Sequence, residues 1–113
     1  MITIYHNPRC GKSRECLAFL RISKYQCEVI KYLEYPLEYK ELAEIIKKLN
    51  INPIELIRTK EAVWIEHFKG KILTDTEIIQ SVVDYPILME RPIAVYGEKA
   101  VIARPFERIK EIL

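Results

Sequence analysis

The sequence predicts an α/β chain with a four-stranded mixed sheet and a helical insertion, on three observations. Its first third reads strand, helix, strand; its middle carries only helical periodicity; its end reads as a hairpin followed by a helix. With 113 residues, 50% of them hydrophobic, it can bury roughly two thirds of its unfolded surface, enough for one domain and too little for two. Residues 1–113 are therefore expected to form a single unit, the sheet carried by 1–33 and 86–113 and the insertion spanning about 37–85.

The elements follow in order. Residues 2–5 (ITIY) alternate apolar and polar and stop at Asn7-Pro8, which suits a short strand entering a loop. From Lys12 to about Ser23 the apolar Leu17, Phe19, Leu20 and Ile22 mark a helix, with Cys10 on the loop that feeds its first turn. Residues 27–32 (CEVIKY) read as a second strand, parallel to the first across a right-handed crossover. Pro36 and Glu38 lie in the next loop. Leu42, Ile45, Ile46 and Leu49 then recur at i, i+3, i+4, i+7 until Asn50 and Pro53 end that helix. A short helical turn over 53–57 leads into Arg58-Thr59-Lys60-Glu61, and 62–68 is weakly helical up to Gly70. Thr74 and Glu77 form a capping box, after which Ile78, Ile79, Val82 and Val83 make an apolar stripe ending at Pro86. Strands over 93–96 and 100–103 are joined through Gly97-Glu98 as a hairpin. A last helix is expected to start with Pro105 at its first position and to bury Phe106, Ile109 and Leu113.

Charge and composition exclude several function classes. Eighteen Lys and Arg against sixteen Asp and Glu leave +2, spread too evenly for a duplex nucleic-acid binder, so any anion site must be local. No apolar run approaches the ~18 to 20 residues that span a bilayer, and MITIYHNPRC lacks a signal-like apolar stretch, so no membrane association and a cytoplasmic location are expected. Three cysteines, Cys10, Cys16 and Cys27, are an odd number at no metal-ligand spacing, which argues against a disulfide framework and a zinc site. At least one thiol must stay free.

Cys10 is the candidate nucleophile. It precedes a helix, whose unsatisfied N–H groups and dipole favour a negative group, and Arg9, Lys12 and Arg14 add positive potential. A free thiol with pKa ~8.5 is only a few per cent ionised at neutral pH; lowering that value by ~2 units makes the thiolate the main form. An inert buried cysteine is the ordinary case, but a loop position beside Pro8 and among cations weighs against it. Cys16 would lie about 9 Å along the helix axis from Cys10, beyond the ~7 Å Cα limit for a disulfide. Cys16, beside Phe19 and Leu20, and Cys27, opening a strand, read as small core residues. Ser13 stands where a C-x-x-C pair would place its second sulfur, so if Cys10 does redox chemistry its resolving thiol is expected from outside the chain. Three nearby patterns fail. A phosphate-binding loop ending in Gly11-Lys12-Ser13 needs glycine where His6 stands, a phosphatase C-x-x-x-x-x-R needs arginine where Cys16 stands, and Cys-Gly-Lys-Ser departs from the Cys-Gly-Phe-Ser of monothiol glutaredoxins.

The run His6-Asn7-Pro8-Arg9-Cys10-Gly11-Lys12-Ser13-Arg14 resembles the active-site segment of the glutaredoxin-coupled arsenate reductase (ArsC-like) family, with its pattern H-N-P-x-C-x-x-S-R. Ile57-Arg58, Pro86-Ile87-Leu88 with Glu90-Arg91-Pro92-Ile93, and Ala103-Arg104-Pro105 follow in the family's order, so the resemblance covers essentially the whole chain. It implies a thioredoxin-like fold with a helical insertion. It also implies reduction of arsenate to arsenite in arsenic detoxification, with Cys10 attacking arsenic, glutathione as co-substrate and glutaredoxin regenerating the enzyme, and no bound cofactor or metal. Arg58, Arg91 and Arg104 would hold the oxyanion, a match of guanidinium forks to a dianionic tetrahedron. His6, Ser13 and Arg14 would support the thiolate, Asn7 would shape the loop, and Arg91-Pro92 would be a cis peptide aiming Arg91 at Cys10. The plainer alternative for His6 is a backbone contact ending the first strand, and His67, between Trp64 and Phe68, reads as structural or exposed.

Two other readings share the fold. A transcription regulator of this superfamily would bind RNA polymerase and commonly carries C-x-x-C as a redox switch, which Ser13 removes here. A glutathione-linked thiol oxidoreductase acting on another substrate fits the same residues, because arginines that hold arsenate hold phosphate equally well.

Overall fold

A computed structural model describes residues 1–113. The chain divides into two compact units, one formed by Met1–Tyr35 with Arg91–Leu113 and the other by Pro36–Glu90.

In the first unit the strands are β1 (Ile2–Tyr5), β2 (Cys27–Ile30), β3 (Ile93–Tyr96) and β4 (Lys99–Ile102), with α1 (Gly11–Arg21) between the first two. They form one mixed sheet in the order β2-β1-β3-β4. β1 pairs parallel with β2, Ile2 opposite Cys27, and antiparallel with β3, Tyr5 opposite Ile93; β3 and β4 are antiparallel, Ile93 opposite Ile102. The hairpin turns at Gly97, whose φ of 63° is the left-handed conformation that glycine adopts without steric cost. Apolar residues of α1 (Cys16, Leu20), the sheet (Ile2, Ile4, Ala94, Val101) and the C-terminal segment (Ile109, Ile112) close one core. This is the thioredoxin-like order predicted from the sequence.

Two details of the C-terminal segment differ from expectation. Phe106–Ile112 is a 3-10 helix with Pro105 preceding it, and the buried residues are Ile109 and Ile112, with Phe106 partly buried and Leu113 exposed. The spacing explains this, since Phe106, Ile109 and Ile112 recur every third residue and share one face only at three residues per turn. The second strand is also shorter than 27–32, because Lys31 already accepts turn hydrogen bonds from Glu34 and Tyr35. β4 lies one residue earlier than expected, at Lys99–Ile102.

The second unit holds α2 (Tyr39–Leu49), α3 (Ala62–His67) and α4 (Asp75–Asp84), with 3-10 helices over Pro53–Leu56 and Pro86–Leu88. α2 ends at Asn50, whose φ of 56° places it in the left-handed region that asparagine tolerates. Thr74 and Glu77 form the expected capping box, and the same device recurs unpredicted at Glu38/Glu41 and Asn52/Glu55. Ile57 bridges Met89 antiparallel, fixed by Arg58 N–H to Leu88 C=O (2.7 Å) and Glu90 N–H to Leu56 C=O (2.8 Å). No helix is long and apolar enough to cross a membrane.

Candidate active site

Sheet register gathers the site in the first unit. β1 ends opposite the start of β3, and the start of β3 lies opposite the end of β4, so the loop after β1, the residues before β3 and those after β4 share one end of the sheet. Cys10 stands on the first of these, Arg91-Pro92 on the second and Arg104-Pro105 on the third. Ala103 N–H donates to Pro92 C=O (2.9 Å), locking the last two together. Both X-Pro bonds are cis; Arg91-Pro92 was expected so and Arg104-Pro105 was not.

Cys10 is the N-cap of α1, extended at φ −93° and ψ 122°, and its carbonyl accepts the Arg14 N–H (3.0 Å) that opens the helix. Ordinary N-caps are Ser, Thr, Asp or Asn, whose side-chain oxygen takes first-turn N–H groups. A sulfur holds that place here. Burial works to raise the Cys10 pKa, but the Ser13 N–H, then the Arg91 guanidinium as donor and as charge, then the Lys12 N–H outweigh it and leave it below the ordinary thiol value. Arg104 Nη1 lies 3.8 Å from Cys10 Sγ and 3.2 Å from the Arg91 carbonyl, so it is oriented by the chain it also approaches.

The loop that presents the sulfur is tied from within. Asn7 C=O accepts Cys10 N–H (3.0 Å), Asn7 Oδ1 accepts Arg9 N–H (3.0 Å), and Arg14 Nη1 donates to Pro8 C=O (3.1 Å). Ser13 is wholly buried, and its Oγ accepts Asn7 N–H (3.0 Å) and pairs with His6 Nδ1 (2.7 Å), donating or accepting according to the imidazole tautomer. His6 is thus more than a strand end: it fastens β1 to the first turn of α1. Burial, and then the charges of Arg21, Lys31 and Arg14, lower its pKa, favouring the neutral ring. Arg14 acts on the loop carbonyl, while the direct stabilisation of the thiolate comes from the Ser13 and Lys12 backbone and Arg91.

Arg58 belongs to the second unit. Its half-buried guanidinium pairs with Glu61 (3.2 Å) and Glu90 (3.8 Å). Sequence reading missed both carboxylates, though the i, i+3 spacing of Arg58 and Glu61 could have suggested the first. His67, also there, stacks on Tyr85 with centroids 5.7 Å apart. Cys16 and Cys27 are free, Cys16 fully buried and pushed up to about 11 by burial and by Cys27, and Cys27 raised by burial. No cluster of three or more His, Cys, Asp or Glu is arranged to hold a metal ion. What the site offers is one thiol of lowered pKa beside two guanidinium groups, an arrangement suited to attack on an anionic electrophile.

A thiol of lowered pKa at a helix start on a thioredoxin-like sheet, faced by arginines from beside neighbouring strands, defines a class of thiol-dependent proteins. The sequence pattern of the ArsC family matches residues 5–112, and the chain belongs to that family. It is 44% identical to "Uncharacterized protein YfgD" of Escherichia coli (strain K12) over 99% of this chain and 96% of that protein. It is 38% identical to the arsenate reductase of Haemophilus influenzae over 99% of this chain and 98% of the other. Among solved structures, the arsenate reductase from Vibrio cholerae superposes with a TM-score of 0.94 at 38% identity, covering 99% of this chain and 97% of its own.

Proposed function

We propose that this protein is an arsenate reductase, reducing arsenate to arsenite through a Cys10 adduct that glutathione and glutaredoxin resolve. The observation that carries the reading is the activated Cys10 with Arg104 Nη1 at 3.8 Å and Arg91 acting on the same sulfur, in a chain similar to proteins of that activity. The Cys10 thiolate attacks As(V), forming a sulfur–arsenic bond as an arsenic-bound oxygen leaves as water. Arg91 and Arg104 bind the remaining oxygens and offset charge developing on them. Arg58 is assigned the same role from the Ile57-Arg58 motif alone.

Reduction of As(V) to As(III) takes two electrons, which two thiols supply on becoming a disulfide. Cys10 has no second thiol available in its loop, where Ser13 occupies the C-x-x-C position, and Cys16 is buried in the core. External thiols fit this need, and we assign them to glutathione and a glutaredoxin, which returns Cys10 to the free thiol.

The test is arsenate-dependent NADPH oxidation coupled through glutathione, glutaredoxin and glutathione reductase. Turnover by the wild type and none by Cys10→Ser is the expected result. Absence of wild-type turnover, or unchanged turnover in Cys10→Ser, overturns the reading; turnover of a glutathione mixed disulfide in place of arsenate assigns the site to a different thiol substrate.

A further inference from the structure

β2 is the outer strand of the sheet on the β1 side. Ile2 N–H donates to Gln26 C=O and His6 N–H to Ile30 C=O. In a parallel ladder both backbone groups of a residue point the same way and alternate along the strand, so 26, 28 and 30 face β1 while 27, 29 and 31 face outward. The N–H and C=O of Val29 and the N–H of Lys31 therefore lie along an open edge. Val29 is 38% exposed.

Beside this edge lies a groove of about 360 Å³, floored by Leu17, Ala18 and Val29 and rimmed by Arg14, Arg21 and Lys31. No carboxylate lines it. The chain's four side-chain ion pairs, Lys12–Glu15, Arg58–Glu61, Arg58–Glu90 and Arg108–Glu111, involve none of the three rim cations. Their field reaches inward, since Arg21, Lys31 and Arg14 are the charges that act on buried His6. Two further cavities adjoin along the same edge and share Lys31; Glu34 is their one acid, set against Arg21 in one and Arg9 in the other. Glu28 projects from the opposite face of β2.

We propose that this groove is a docking site for an acidic, extended segment of a partner protein, added as a strand to the free edge of β2. The backbone of the segment would pair with Val29 and Lys31, its apolar side chains would lie over Leu17 and Ala18, and its carboxylates would meet Arg14, Arg21 and Lys31. A second copy of this chain is the poorer occupant, because two such edges would bring like charges together. Pro8 and Arg9 border the same cavities, so a docked partner sits beside the Cys10 loop. The proposal concerns the surface and stands whether or not arsenate is the substrate.

The probe is a fluorescein-labelled peptide with Thr at every second position and Glu and Val taking turns at the positions between, so that acidic and apolar side chains share the groove face; it is titrated with the whole protein by anisotropy, with hydrogen exchange read at Val29 and Lys31. Saturable binding that slows both amides, weakens with salt and falls about tenfold or more in Arg21→Glu and Lys31→Glu is expected. A peptide of the same charge interrupted by proline, which cannot pair as a strand, should bind at least about tenfold more weakly. Equal binding of the proline peptide or of a polyphosphate overturns the proposal, leaving only a cationic patch. Unchanged exchange at Val29 and Lys31 in the wild type overturns it whatever the variants do, and so does an edge already covered by a concentration-dependent dimer in sedimentation.

Discussion

At the scale of single residues, Cys10 is governed by two opposed effects. Burial penalises its charge, and two first-turn N–H groups with one guanidinium more than compensate. The other thiols have no such donors, so Cys16 is pushed up to about 11 and Cys27 is also raised. The expected outcome is selective alkylation of Cys10 in the native protein, with a rate-against-pH midpoint below that of a free thiol. Cys16 should react only after unfolding. Arg91→Gln should move the Cys10 midpoint upward, by losing both a donor and a charge, and mass mapping of modified peptides after short iodoacetamide exposure checks all three statements. The sequence made Cys10, Arg91 and Arg104 visible through the pattern around them. It did not make visible that Ser13, buried between His6 and Asn7, holds the loop while its own N–H faces the sulfur, because a serine's hydrogen bonds depend on what surrounds it.

Among the elements, local hydrogen-bond chemistry was the most legible. Thr74 accepts the Glu77 N–H (3.2 Å) while the Glu77 carboxylate accepts the Thr74 N–H (2.9 Å), as the T-x-x-E spacing requires. The Thr74 N–H, and then its hydroxyl (3.1 Å), donate to that carboxylate and hold the Glu77 pKa below its usual value, so their contribution is complete above the unfolded carboxylate pKa and is lost as pH falls through the lowered one. Thr74→Ala should cost about 1 kcal/mol in urea denaturation near neutral pH. That difference should shrink in acid. The C-terminal segment was less legible. Phe106, Ile109 and either Ile112 or Leu113 are compatible with two helical periods, and only packing against the sheet selects the tighter one.

For the molecule as a whole, pH acts through a buried imidazole. His6 is 5% exposed and its pKa is lowered below 6.5 by burial and three cations, so around that pH the unfolded chain binds more protons than the folded one. Stability from this group is therefore complete above pH 6.5 and declines as pH falls toward the lowered folded value. Urea midpoints measured on both sides should drop on the acid side, and His6→Gln should flatten that part of the profile; an equal slope in the variant would remove His6 as its source. The sequence by itself determined the order of strands and helices, the Thr74–Glu77 capping box, at least one free thiol and the resemblance to the ArsC family, because periodicity, turn residues and contiguous motifs act over a few neighbours. Only the tertiary structure decided that Arg104, 94 residues from Cys10, meets its sulfur, that burial and three cations lower the His6 pKa, and that β2 keeps an open cationic edge. Those features follow from strand order and register, which set distances between residues far apart in the chain.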